Sequence, residues 1–122
     1  MSAKILIVDD SKAMRLIVRR TLRQAGFGSY EVEEAGNGVE ALAAIESAPP
    51  ALVISDWNMP EMTGIELLTK LRERGNAVRF GFVTTEGTAD MRARASAAGA
   101  LFLIAKPFTP ESFQQELQPH LS

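Results

Sequence analysis

The stretch Ala51-Leu52-Val53-Ile54-Ser55-Asp56-Trp57-Asn58-Met59-Pro60 decides how this chain folds. An apolar run leads straight into a carboxylate, and a turn-forming Asn and Pro follow. A short continuous apolar run between turn signals reads as a strand buried on both faces. Its last residue, Asp56, is thereby delivered to the edge of a sheet. Three other runs have the same shape: Lys4–Val8 ends on Asp9-Asp10, Val78–Val83 on Thr84-Thr85, and Leu101–Ala105 on Lys106-Pro107. Each buried strand finishes on a polar group, so the pattern predicts one site built at one end of a parallel sheet.

The segments between these runs read as helices. Ser11 is placed to cap a first helix whose Met14, Ile17, Val18, Leu22 and Ala25 recur at helical spacing, with Gly26 and Gly28 as stops. Lys12, Arg15, Arg19, Arg20 and Arg23 fall on its other face and read as a solvated surface. Tyr30–Glu34 alternates weakly and is expected to be a short second strand with Val32 inward. Asn37 with Glu40, and Thr63 with Glu66, carry capping-box spacing for helices from Gly38 to about Ser47 and from Thr63 onward, the latter with Ile65, Leu68 and Leu71 inward. An alanine-rich helix over about 88–98 carries Arg92 and Arg94, and Gly99 stops it. Thr109-Pro110 opens a last helix with Phe113, Leu117 and Leu121 on one face, which Pro119 is expected to end or kink at Gln118. Strands alternating with helices imply right-handed βα units around a parallel sheet, an α/β doubly wound architecture spanning residues 1–122 as one domain.

Composition narrows the function. The 122 residues suffice for one buried core. A net charge of −2 gives no general reason for nucleic-acid or anionic-membrane binding. There are 0 cysteines, which removes disulfides, thiolate metal sites and thiol nucleophiles. No apolar run approaches the roughly 20 residues of a membrane-spanning helix, and no signal pattern opens the chain, so a cytoplasmic address is expected.

In a doubly wound sheet, sites sit at the carboxyl ends of strands beside the point where strand order reverses. That places Asp9, Asp10 and Asp56 together. At about 4 Å and an effective dielectric near 20, each pair of ionised carboxylates costs roughly 4 kcal/mol. Such a cluster is kept only if a cation relieves it or if it is protonated. Oxygen ligands without His or Cys favour a hard divalent ion, Mg2+ above all, and Mg2+ held this sparsely goes with a phosphoryl group. Lys106 and Thr84 are then placed to hold phosphoryl oxygens. No Walker-type glycine loop is present. Asp56, alone on the central strand, is a competent nucleophile for an aspartyl phosphate. Trp57 reads as a packed loop aromatic, and His120 as neither base nor metal ligand.

At these residues the sequence resembles the receiver domains of two-component response regulators, and among them the stand-alone chemotaxis type. The resemblance runs through Val8-Asp9-Asp10-Ser11, Ser55–Pro60, Met62-Thr63-Gly64, Val83-Thr84 and Lys106-Pro107-Phe108, covering essentially the whole chain. It implies a flavodoxin-like sheet of order 2-1-3-4-5 with five helices. It also implies a phosphoacceptor, Asp56, served by a histidine kinase. Mg2+ would be held by Asp10, Asp56 and the Asn58 backbone carbonyl, with Asp9 acting mainly through water. Thr84, Thr85 and Lys106 would line the phosphoryl pocket, the side chains of Asn58 and Glu86 would tune dephosphorylation, and the Lys106-Pro107 bond would be cis. Such a domain is no enzyme beyond its own phosphoryl transfer and dephosphorylation. Its output would be a protein target at the face of helix 4, strand 5 and helix 5, without direct nucleic-acid binding or membrane insertion. No DNA-binding region follows the last helix, so transcriptional output is not expected.

Three departures from the family pattern stand out. The switch position three residues before the lysine, usually aromatic, is Leu103. Phe102 beside it should face the other way, which leaves the Thr84–aromatic coupling without its lever. Thr85 replaces a usual Ala or Gly and is expected to narrow access to the phosphate. Gly81 leaves a gap inside strand 4 that Phe80 or Phe82 is expected to fill. Three other readings share part of this pattern. A phosphate sink or relay intermediate would share the site but have no output. A Mg2+-dependent phosphatase of the haloacid-dehalogenase type would want an Asp-x-Asp motif after strand 1, and an FMN carrier would want a Ser/Thr/Gly-rich loop there. Neither is present.

Overall fold

A computed structural model describes residues 3–121. Five parallel strands, β1 (Lys4–Val8), β2 (Glu31–Ala35), β3 (Leu52–Asp56), β4 (Phe80–Thr84) and β5 (Leu103–Ala105), form one sheet in the order β2-β1-β3-β4-β5. Five helices connect or close them: α1 (Lys12–Leu22), α2 (Gly38–Ser47), α3 (Gly64–Glu73), α4 (Ala89–Ala97) and α5 (Pro110–Leu121). This is the expected α/β doubly wound, flavodoxin-like architecture. None of the described helices is long and apolar enough to cross a membrane.

Strand alternation sorts the core into two layers. On one face, Leu6, Val8, Val53, Phe80, Phe82 and Leu103 meet α2, α3 and α4 through Ala41, Ile45, Leu67, Leu68, Leu71, Met91 and Ala95. On the other, Ile5, Ile7, Leu52, Ile54, Val83, Phe102 and Ile104 meet α1 and α5 through Val18, Leu22, Phe113, Leu117 and Leu121. Because β1, β3 and β4 are covered on both faces, their apolar runs are continuous rather than alternating.

Several local expectations need correction. Ile17 is 44% exposed and points away from the sheet, since α1 packs through Met14, Val18 and Leu22 at fourfold spacing. β2 spans Glu31–Ala35, one residue later than expected, with Ala35 buried at its end, while Val32 packs half-buried against the core as expected. β4 begins at Phe80 because Val78 N–H donates to Asn76 Oδ1 at 3.0 Å and stays in a loop. β5 is confined to Leu103–Ala105. After α1 a further turn over Arg23–Phe27 is broken at Gly26, whose φ of +99° makes it the expected stop. Pro119 does not end α5 at Gln118, for the helix runs on to Leu121. In the last turn the missing N–H deprives only the exposed Gln115 carbonyl, while buried Leu121 accepts a hydrogen bond from the Tyr30 hydroxyl and anchors the end.

The gap at Gly81 is filled from elsewhere. A Cβ added there would lie 2.1 Å from Phe102 Cζ, so the Phe102 ring occupies the space. Phe80 and Phe82 cannot fill it, because alternation puts them on the opposite face of β4. Phe102, the residue before β5, packs on the Gly81 face and stands beside it, one position before the Phe82↔Leu103 pair.

The basic side of α1 is less solvated than expected. Arg15 Nε and Arg19 Nη2 each reach the Glu34 carboxylate at 2.7 Å, tying α1 to β2. These two arginines hold the Glu34 carboxyl below its ordinary range. Ser11 caps α1 as expected, and Thr63 and Glu66 form the full capping box of α3. Asn37 accepts from Glu40 N–H at 2.8 Å, whereas the return contact comes from its own side-chain amide.

Candidate functional site

The strand register assembles the site. Val8 pairs with Ser55, so Asp9, the next residue, stands level with Asp56. Asp56 pairs with Val83 and Thr84 with Ala105, which brings Thr84 and Lys106 to the same edge. Carboxylate oxygens of Asp9, Asp10 and Asp56 lie within 4.8 Å of one another. Lys106 Nζ stands 3.8 Å from Asp9 Oδ2 and 3.8 Å from Asp56 Oδ1.

Each acid is held differently. Asp9 is 4% exposed, and its Oδ1 accepts from Ser11 N–H at 2.8 Å. Asp56 Oδ1 accepts from Trp57 N–H at 2.8 Å, and its backbone carbonyl accepts from Ser55 Oγ at 2.8 Å. Asp10 is exposed at the mouth. Burial pushes the carboxyls of Asp9 and Asp56 above their ordinary values, and the Lys106 ammonium opposes the push in both. One ammonium against three carboxylates leaves the cluster short of positive charge. The donors are all oxygen, and two of them are kept from water. This donor set fits Mg2+.

The other expected residues surround the acids. Thr84 is fully buried, its Oγ1 accepts from Glu86 N–H at 3.3 Å, and its carbonyl accepts from Lys106 N–H at 2.7 Å. The Thr84 hydroxyl proton therefore remains available to an acceptor in the site. Asn58, Thr85 and Glu86 are exposed on the loops around the mouth. The Lys106-Pro107 peptide is cis. Thr85, Lys106, Pro107 and Phe108 line a groove of about 440 Å³ with Met14 and Ile17 of α1. Leu103, at the expected switch position, is buried against the α4 side, and Phe102 faces the α5 side.

Two features escaped sequence reasoning. Gly64 opens α3 directly over Asp56, where a Cβ would fall 2.3 Å from the Asp56 carbonyl oxygen and 2.8 Å from Phe82 Cε1. Only a missing side chain lets α3 begin this close; the signal was the glycine itself after the Thr63 cap. Trp57 is more than a packed loop aromatic, because the Arg94 guanidinium lies 5.4 Å from its ring centroid. Nothing local in the sequence joins those two residues. The His120 ring is stacked on Phe102, with the ring centroids 6.4 Å apart.

Comparison with known proteins agrees with this geometry. The family model described as the response regulator receiver domain matches residues 5–118. The chain is 40% identical over 118 residues to chemotaxis protein CheY1 of Helicobacter pylori, covering 94% of each chain. It is also 40% identical over 118 residues to a chemotaxis protein CheY homolog of Campylobacter jejuni, covering 94% of this chain and 89% of that one. A solved structure of Vibrio cholerae chemotaxis protein CheY4 superposes with a TM-score of 0.86 at 40% identity, covering 99% of this chain and 100% of that one. With its acids, threonine and lysine gathered at the ends of β1, β3, β4 and β5, this chain belongs to the response regulator receiver domain family.

Proposed function

We propose that this chain is a chemotaxis-type response regulator in two-component signalling, phosphorylated on Asp56 by a histidine kinase. The observation that carries the reading is the Asp56 carboxylate itself. It is raised in pKa by burial, flanked by two further carboxylates and faced at 3.8 Å by the Lys106 ammonium.

In the proposed reaction an Asp56 carboxylate oxygen attacks the phosphorus of a phosphohistidine. The new P–O bond forms as the P–N bond breaks, and the departing imidazole nitrogen keeps the electron pair and then takes a proton. Lys106 faces the negative charge gathering on the phosphoryl oxygens, and the Thr84 hydroxyl proton donates to one of them. Trp57 N–H holds one acceptor oxygen in place. Asp10, Asp56 and the Asn58 carbonyl would hold Mg2+, with Asp9 reaching it through water; when bound, it supplies the hard positive charge that three carboxylates and a phosphoryl group require. Return to the ground state is hydrolysis, in which water attacks phosphorus and Asp56 leaves as carboxylate. Asn58 and Glu86, exposed at the mouth, are the side chains placed to meet that water.

Transfer from a phosphorylated histidine-kinase domain tests the reading. The phosphoryl group is expected to move to this chain in Mg2+ and to remain on the donor in EDTA. Retention on the donor in both conditions would contradict it. Thr85 borders the groove beside Lys106, so Thr85→Ala is expected to shorten the phosphoaspartate lifetime by widening access for water. An unchanged or longer lifetime, followed by intact mass, would remove the steric account.

Leu103 favours a second reading, a phosphate sink with a weak switch. It is apolar, buried and without a hydroxyl to follow Thr84. Beryllium fluoride, a phosphoryl mimic, is expected to produce only small amide shifts across α4, β5 and α5 by NMR. A large rearrangement at Leu103 would restore a conventional switch and disfavour the sink.

A further inference from the structure

Trp57 touches the acceptor and α4 at the same time. Its N–H donates to Asp56 Oδ1 at 2.8 Å, so the setting of its peptide helps fix the nucleophilic carboxylate. Its ring is 6% exposed, with the Phe82 ring centroid 4.8 Å away. Arg94 of α4 lies over that ring, guanidinium carbon 5.4 Å from the centroid. Among the described residues Arg94 makes no salt bridge or side-chain hydrogen bond, so the indole face is its polar engagement with the protein.

We infer that Arg94 is a positioning residue: by holding the Trp57 ring in place it holds the Trp57 N–H on Asp56, and so couples α4 to phosphoryl transfer. The inference rests on the proposed phosphorylation of Asp56 and adds a regulatory path to it. Without the guanidinium, the ring is free to leave its seat beside Phe82, and the acceptor oxygen loses a fixed donor for part of the time. Arg94 lies on the Trp57 side of α4, while Arg92, two residues before it, turns to the Leu103 carbonyl of β5. A partner that draws Arg94 away with a carboxylate therefore slows transfer at Asp56, and by linkage its own affinity changes with the state of Asp56. This path needs no aromatic at position 103.

The test is a double-mutant cycle on the rate of phosphorylation by acetyl phosphate at saturating Mg2+, followed by intact mass. Arg94→Gln is expected to slow the parent roughly two- to fivefold, the range an exposed cation–π contact allows. Arg94→Lys is expected to recover part of the rate. In a Trp57→Leu background, Arg94→Gln is expected to change nothing. Equal slowing in both backgrounds would mean that Arg94 acts only as a nearby charge, and would overturn the inference, as would an unchanged rate in the parent.

Acrylamide quenching gives a readout that needs no phosphodonor, since Trp57 is the only tryptophan. Quenching is expected to rise about twofold in Arg94→Gln and to fall back in Arg94→Lys. A parent that takes up no phosphoryl group overturns the proposed function instead. The quenching then decides the inference alone, and an unchanged value overturns it.

Discussion

Replacing Asp56 by Asn is expected to stabilise the metal-free protein while abolishing both phosphoryl uptake and most of the stabilisation by Mg2+. Asp9 is buried and Asp56 half-buried beside it, with one ammonium 3.8 Å from each. Removing one charge relieves the repulsion that remains, at an expected gain of about 1–2 kcal/mol. Thermal denaturation in EDTA should therefore show a higher midpoint for Asp56→Asn. Mg2+ at about 100 times its Kd stabilises a folded protein by roughly 2.7 kcal/mol, and that shift should appear in the parent and largely disappear in the variant. A destabilised variant, or one that keeps the full Mg2+ shift, would place the strain and the cation elsewhere.

The same acids give a pH dependence with a definite sign. Asp9 and Asp56 are raised from an ordinary value of 3.8, so the folded chain holds these protons more tightly than the unfolded chain. Metal-free stability should then decrease as pH rises from that value through the folded pKa values, and the slope should be shallower in Asp56→Asn. Glu34 acts in the opposite direction. Arg15 and Arg19 lower its pKa, so its contribution is present above the ordinary carboxylate range and lost as pH falls through the folded value. Being partly exposed, that ion pair is the smaller effect. Denaturation midpoints across the acid range, without Mg2+, read both.

Gly81→Ala is expected to cost about 3 kcal/mol, the upper part of what overpacking a core does. The added carbon would meet three atoms of the Phe102 ring at 2.1, 2.2 and 2.4 Å. The ring is itself hemmed in by the α5 layer and by His120 stacked at 6.4 Å, so it has nowhere nearby to go. Shortening the obstacle should help, and Gly81→Ala with Phe102→Leu is expected to recover part of the loss. Urea denaturation measures both. A cost below about 0.5 kcal/mol for the single variant would show that β5 yields easily, contrary to its packing.

The architecture was legible because four buried strands each end on a polar residue, so the same short runs announce both the sheet and its site. Asp9, Asp10, Asp56, Thr84 and Lys106 are brought together as that pattern requires. What could not be read depends on contacts between distant segments. Gly81 announces a gap, yet its occupant, Phe102, is known only once β5 is paired beside β4. Ile17 fits the apolar spacing of α1, but the helix packs through Val18 and Leu22 and leaves it at the rim of a groove. Pro119 carries a strong local stop signal, which the burial of Leu121 outweighs at the end of the helix. Arg94 over Trp57 follows from the docking of α4 on the sheet, and from nothing in either local sequence.

The most direct test of the central claim is to locate the phosphoryl group by mass spectrometry after incubation with acetyl phosphate and Mg2+. A single adduct that maps to Asp56, disappears in EDTA and is absent from Asp56→Asn is the result expected. A chain that stays unmodified, or an adduct that persists in Asp56→Asn, would contradict the assignment of Asp56 as the acceptor.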